Sequence, residues 1–202
     1  DATQLSGVST TNIAALATNQ LIALTDAQVR ALTTTQMGAL TTGQLAALGT
    51  DQVLVLSANQ LNAIASDRFL ALTTQQLSSI SAGSIANLET SRIAGLSSTQ
   101  IGALTNAEIA GLSSAQLNAL SDTTIANLTT SQVSALTNSQ ISALTTGKIQ
   151  ALSTSQIAAL GANQIAAMTT AQAKALTSAQ VPAFTTAQIS KLTTAQIQAI
   201  DT

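Results

Sequence analysis

A chain of 202 residues with no cysteine, no histidine, no tryptophan or tyrosine and only two phenylalanines has no disulfides. It also lacks the imidazole and thiol groups of the commonest catalytic triads and zinc sites. Six basic residues against eight acidic ones leave a net charge of −2 with no basic cluster, which argues against nucleic acid as a partner. The longest unbroken run of Val, Leu and Ile is Val53-Leu54-Val55-Leu56, well short of the about 20 apolar residues of a membrane span, so no membrane insertion is expected.

From Asp1 onward the chain is one eight-residue unit, written about twenty-five times without a spacer. With residues 1–8 as octad 1, the eighth place holds Val8, Leu16, Leu24, Leu32, Leu40 and so on to Leu192 and Ile200, never a polar residue. The fifth place holds Leu5, Ile13, Leu21, Val29, Met37 and so on to Ile197, with Ala173 the one weak position. A fixed short period is the signature of a repeat architecture. Two branched residues, each contributing roughly 2 kcal/mol when buried, about offset the ordering of part of an octad, so stability must come from neighbouring units.

The period excludes one long helix. At about 100° per residue the apolar stripe would drift by about 80° per octad, which no single partner helix can follow. A strand places residues three apart on opposite faces and needs a corner between them, whereas a helix brings Ile189 and Leu192 onto one face. The first four places favour the helix. Thr25/Gln28, Thr33/Gln36, Thr41/Gln44, Ser57/Gln60, Thr73/Gln76, Ser97/Gln100, Thr105/Glu108, Ser113/Gln116 and Thr185/Gln188 are capping boxes in strict phase.

The charges sort in the same way. Asp1, Asp26, Asp51, Asp67, Glu89, Glu108, Asp122 and Asp201 lie in places one to four, and Arg30, Arg68, Arg92, Lys148, Lys174 and Lys191 in places four to seven. Acids near a helix start and bases toward its end are what the helix dipole favours.

The expected fold is therefore all-α, a solenoid of short helices of about one and a half turns, one per octad, with three or four octads per superhelical turn. Leu32, Leu40, Leu104, Ile109, Leu136, Ile157 and Leu192 are expected in its core. Thr33, Gln36, Thr73, Gln76, Thr185 and Gln188 are expected as helix caps. Place seven is small in most octads, to let units approach; place six is unrestricted and expected to face water, so that Asn118→Lys would be silent. Pro182, at place six, must distort its unit or shorten its helix. Residues 1–202 read as a single continuous array. With no polar capping repeat at either end, it is expected to be part of a longer one or to stack end to end on other copies.

Little chemistry is visible. Without His, the many Ser and Thr residues read as caps rather than nucleophiles. Asp51 and Asp67 could align but read as dipole partners, and Gly43, Gly83, Gly147 and Gly161 make no phosphate loop. No catalytic, cofactor or metal residue is expected, and the chain reads as a non-enzyme. A Thr-rich row at places one and two (Thr33, Thr34, Thr41, Thr42, Thr73, Thr74, Thr129, Thr130, Thr145, Thr146) is the one regular polar surface. Its plain reading is capping and solvation; its sharper one is a face matching an ordered ligand such as ice or a polysaccharide.

The unit Leu-Thr-Thr-Ala-Gln-Ile-x-Ala, seen at 192–199 and with variations at 152–160 and 184–191, resembles the tandem octapeptide repeats of very large secreted bacterial surface proteins, often labelled adhesin-like. The likeness covers the whole chain. It implies an extracellular or cell-surface stalk or filament subunit whose binding tips lie elsewhere, and carries over no active-site residue. The partners expected are neighbouring repeats or further copies of the chain, with a glycan or surface ligand as a further possibility.

Overall fold

The structure, a computed structural model, describes residues 1–200; Asp201, one of the acids placed above, lies outside the described residues. Those residues form 24 α-helices of four to seven residues, one per octad except octad 23, and no strand. The architecture is the all-α array of short helices that the octad phase implies.

Where the helix runs to place seven, the corner is built from two extended residues in succession. In octad 5 the helix Thr34–Ala39 starts after Thr33 (φ −71°, ψ 161°) and ends at Leu40 (φ −59°, ψ 136°). The next residue, Thr41 (φ −75°, ψ 162°), is the following N-cap. The Leu40 N–H still reaches back to the Met37 carbonyl at 3.3 Å, closing the turn before the chain leaves. No described residue has a positive φ, so the corners need no glycine. That is why the glycines of the sequence do not mark the bends.

The contacts divide the chain into two compact units, Asp1–Leu104 and Thr105–Thr202. Each follows the same packing rule: a helix lies against the helix three octads further on. In the first unit Thr34–Ala39 packs on Ala58–Ala63, and in the second Asn106–Gly111 packs on Thr130–Ala135, which packs in turn on Thr154–Ala159. Place five is 0–1% exposed from Ile13 to Ala173, and place eight 0–5% exposed from Leu32 to Met168. Neither column contains a polar atom outside its backbone, so burial is favourable without any partner to find.

Of the residues expected in the core, Leu32, Leu40, Leu104, Ile109, Leu136 and Ile157 are buried. Leu192 is not: it is half-buried, and Ile189 of the same octad is 46% exposed. The cover for an octad comes from octads three and four further on, and this sequence holds none beyond octad 25.

Close approach explains the small residues of place seven. A Cβ on Gly95, at place seven of octad 12, would lie 3.2 Å from Leu70 Cδ1, at place six of octad 9. A Cβ on Gly38, at place six of octad 5, would lie 2.9 Å from the carbonyl of Ala63, at place seven of octad 8. Place six of one octad thus faces place seven of the octad three on.

Asn118 corrects the expectation that place six only meets water. Its Nδ2 donates to the Ala143 carbonyl at 2.9 Å and its Oδ1 accepts from the Thr145 N–H at 2.9 Å. Asn62 makes the same bridge to Asn87 and Glu89. Lysine at 118 would lose the bond from the Thr145 N–H, because it has no acceptor.

Pro182 distorts its octad as expected. A 3-10 turn, Val181–Ala183, replaces the α-helix, since a proline there removes an i→i−4 hydrogen bond.

Candidate functional site

The side chain on which the structure is built is the glutamine of place four. Its Oε1 accepts the N–H of place one, as the capping box requires: Thr33 to Gln36 at 2.9 Å, Thr73 to Gln76 at 3.0 Å, Thr185 to Gln188 at 2.7 Å. The returning bonds, from the Gln N–H to the Thr hydroxyl, are 3.2, 3.2 and 3.3 Å. All six residues singled out as caps therefore sit in paired boxes.

Its Nε2 does something the local motif does not require. Gln44 Nε2 donates to the carbonyls of Ile13 (3.0 Å), Ala14 (3.3 Å) and Leu16 (2.8 Å), places five, six and eight of the octad four back. Gln156 repeats this on Ile125, Ala126 and Leu128 in the second unit, at 2.9, 3.3 and 2.7 Å. Those carbonyls end a helix; the place-five carbonyl already accepts the N–H of place eight, as Ile13 does from Leu16 at 3.2 Å, and the other two have no such local partner. One amide therefore satisfies an orphan donor at the start of its own helix and orphan acceptors at the end of another.

The reach of 28 to 31 residues, set beside the helix packing at three octads, puts between three and four octads in a turn within each unit. Gln36, Gln44, Gln156 and Gln188 are 1–3% exposed, so the Gln column is buried together with the Leu column. Gln180 keeps both roles despite Pro182, binding Thr177 N–H at 2.9 Å and the Leu152 carbonyl at 2.7 Å.

Of the residues that replace glutamine, Arg68, Ser84, Arg92 and Lys148 keep the donor, whereas the Thr124 hydroxyl pairs with that of Ser121. Arg68 Nη1 donates to the carbonyls of Gly38 (3.0 Å) and Leu40 (2.6 Å), and Ser84 Oγ to that of Leu56 at 3.0 Å. Lys148 Nζ donates to the Leu120 carbonyl and, at 2.7 Å, to Asp122, whose exposed carboxylate adds little stability. Arg92 Nη2 donates to the Asn62 carbonyl at 2.7 Å; its guanidinium lies 5.7 Å from the centre of the Phe69 ring, and its Nε and Nη1 make no hydrogen bond. Arg68, Arg92 and Lys148 thus hold place four for their N–H groups, a role the dipole reading missed. A signal was available: an arginine or lysine cannot accept an N-cap N–H, so a donor is what these residues share with glutamine.

Glu108 lacks the donor altogether when ionised. It is 2% exposed, its Oε2 accepts the Thr105 N–H, and its Oε1 is buried without a partner. Burial pushes its pKa above the usual glutamate range, against the opposing pull of its hydrogen bonds with Thr105. A carboxyl raised in the folded state holds its proton better than the unfolded chain does. Its contribution to stability is therefore complete below the unfolded pKa and lost as pH rises through the folded one. Glu108→Gln should raise stability at pH 7 by about 1–3 kcal/mol, the cost of an unsatisfied buried polar group. Thermal unfolding of both proteins at pH 4 and pH 7 checks this: the gap between them should widen at pH 7, and an equal gap at both values contradicts it.

No cluster of three His, Cys, Asp or Glu side chains that could hold a metal occurs among the described residues. Asp51 and Asp67 are exposed first-turn residues of two separate helices, Thr50–Leu54 and Ser66–Phe69. In the Thr-rich row the place-one hydroxyls are engaged as caps, as Thr41 and Thr129 are at 3.2 and 3.1 Å. Thr34, Thr42, Thr130 and Thr146 at place two are exposed, while Thr74 is half-buried.

No curated protein matches this chain. A family model described as the ALTTAQ repeat matches residues 9–42, 93–130, 109–146, 146–178 and 174–202, together more than half of the sequence. The six letters of that description are places seven, eight, one, two, three and four: the small residue at the close approach, the buried leucine, the cap, two solvent-side places, and the glutamine that joins one turn to the next. The chain belongs to the ALTTAQ repeat family.

Proposed function

We propose that the chain is a structural element, an extended repeat stalk or fibre segment of a bacterial extracellular or cell-surface protein, without catalytic activity. The observation that carries this reading is the glutamine ladder. Interior octads are completed by octads three and four away, so the array grows by addition of near-identical units and gains reach. Membership of a repeat family supports the same reading, and so does the near absence of charge clusters.

Small-angle scattering on the chain in solution tests it. A compact globule of 202 residues has a radius of gyration of about 17 Å, and a stalk segment should be well above that. A compact value sinks the proposal.

The exposed, unengaged threonines of place two favour a second reading, a face that binds ice or a polysaccharide. Under it, Thr34→Lys together with Thr130→Lys abolishes retention on the ligand without changing the circular dichroism. Binding that survives both changes removes it.

A further inference from the structure

The glutamine ladder joins one turn to the next but does not number the turns. A place-four glutamine would find the same set of carbonyls on any octad, so the ladder alone leaves the pairing free to slip by one. A polar pair that is satisfied in one register only removes that freedom, as a single asparagine does in a coiled coil. Two such pairs are present, one inside each unit.

In octads 12 and 19 place four is basic, Arg92 and Lys148. Neither side chain can accept the N–H of its own place one, the bond that Gln140 takes from Thr137 at 2.6 Å and Gln156 from Ser153 at 2.7 Å. In both octads that N–H is taken from outside. Asn62 Oδ1 accepts it from Glu89 at 3.0 Å, and Asn118 Oδ1 from Thr145 at 2.9 Å. The two asparagines stand at place six of the octads four back, octads 8 and 15, and place six holds no other asparagine.

Each asparagine also donates through Nδ2 to place seven of the octad three on, Asn87 at 3.1 Å and Ala143 at 2.9 Å. The basic side chains return the contact. Arg92 Nη2 donates to the Asn62 carbonyl at 2.7 Å and Lys148 Nζ to that of Leu120, both in the asparagine's own octad. Arg68, the third base at place four, has no such partner. Place six of octad 5 is Gly38, where a Cβ would lie 2.9 Å from the Ala63 carbonyl.

We propose that Asn62 with Arg92, and Asn118 with Lys148, are register locks. The asparagine supplies the cap that the basic residue cannot, and so selects which octad lies four further on. Shifted by one octad, Thr145 would meet Ala110 or Ala126 at place six, which offer no side-chain acceptor. Asn118 would meet Thr137 or Ser153, whose N–H groups already belong to Gln140 and Gln156. The glutamines would be served as before, so the loss falls on the lock. The locks thus give an array of near-identical octads one winding instead of several.

Amide exchange at Thr145, read by nuclear magnetic resonance, tests the second lock. Asn118→Ala should speed exchange of the Thr145 N–H by about tenfold, the loss of one hydrogen bond. In a Lys148→Gln background the same change should leave that exchange unmoved, because a glutamine there takes the N–H itself. Duplicating residues 129–136 puts octads 15 and 19 five octads apart while keeping the repeat in phase. It should speed Thr145 exchange as Asn118→Ala does, and have no effect beside Lys148→Gln. Circular dichroism reports folding, and if the duplication misfolds, the substitutions alone decide. An Asn118→Ala protein with unchanged Thr145 exchange overturns the proposal. So does an effect that persists beside Lys148→Gln, or a folded duplication that leaves Thr145 exchange as it was.

Discussion

Ile157→Asp should destabilise the second unit by about 4 kcal/mol or more, whereas Ala158→Lys, one residue on, should stay within about 0.5 kcal/mol of wild type. Ile157 is 0% exposed and Ala158 is exposed. The aspartate must lose its hydration among Leu and Ile side chains that offer no donor, while the lysine keeps its ammonium in water. Against a total stability of about 5–15 kcal/mol for a native domain, the first loss is a large fraction of the whole. Chemical denaturation followed by circular dichroism measures both. Hydrogen exchange adds the location: because octads pair at intervals of three and four, deprotection should reach octads 16, 17, 23 and 24 as well as octad 20. Equal damage from both substitutions would refute the assignment of inside and outside.

Gln156→Ala should cost about 2–4 kcal/mol, an unusual penalty for losing a neutral polar side chain. About 1 kcal/mol is the cap, since Ser153 loses the 2.7 Å bond from its N–H to Oε1. The larger part comes from the carbonyls of Ala126 and Leu128, left without a donor, and from that of Ile125, left with only the Leu128 N–H. Gln156→Glu separates the two contributions. It keeps the acceptor for Ser153 but brings a carboxylate against three carbonyl oxygens, so it should be at least as damaging as alanine at pH 7 and should recover on acidification. The measurement is denaturant unfolding of the three proteins at pH 4 and pH 7. A Gln156→Glu protein as stable as wild type at pH 7 would mean that the amide's donor side is idle.

Much of this was legible in the sequence, and for a physical reason. Places five and eight never accept a polar residue, because a polar group at Ile157 or Leu136 would be buried without a partner, so the core can be read from the period alone. The caps at Thr33/Gln36 and Thr185/Gln188 are readable because both partners lie within four residues. The second role of glutamine was not, since its acceptors lie 28 to 31 residues upstream and the capping box already gave Gln36 sufficient reason to be there. Arg68 and Lys148 were the residues that could have revealed it, since they occupy the same place with nothing to offer a helix N-terminus. Asn118 escaped for a related reason: place six varies because its surroundings depend on which residue sits at place seven three octads away. Leu192 shows the converse limit, that phase fixes which side chain points inward but not whether a later octad covers it.

The corners made of two extended, negative-φ residues have a last consequence for how such a chain can change length. Any whole octad can be excised or duplicated, and each remaining glutamine finds another helix end at the same reach, so unequal exchange between copies of the repeat yields a foldable product. A loss or gain of four residues instead brings polar places into the buried columns and cannot be absorbed. What resists even whole-octad editing is the handful of matched pairs, Gly38 against Ala63, Asn118 against Ala143 and Thr145, Arg92 against Asn62 and Phe69. Those positions serve as serial numbers in an otherwise interchangeable stack.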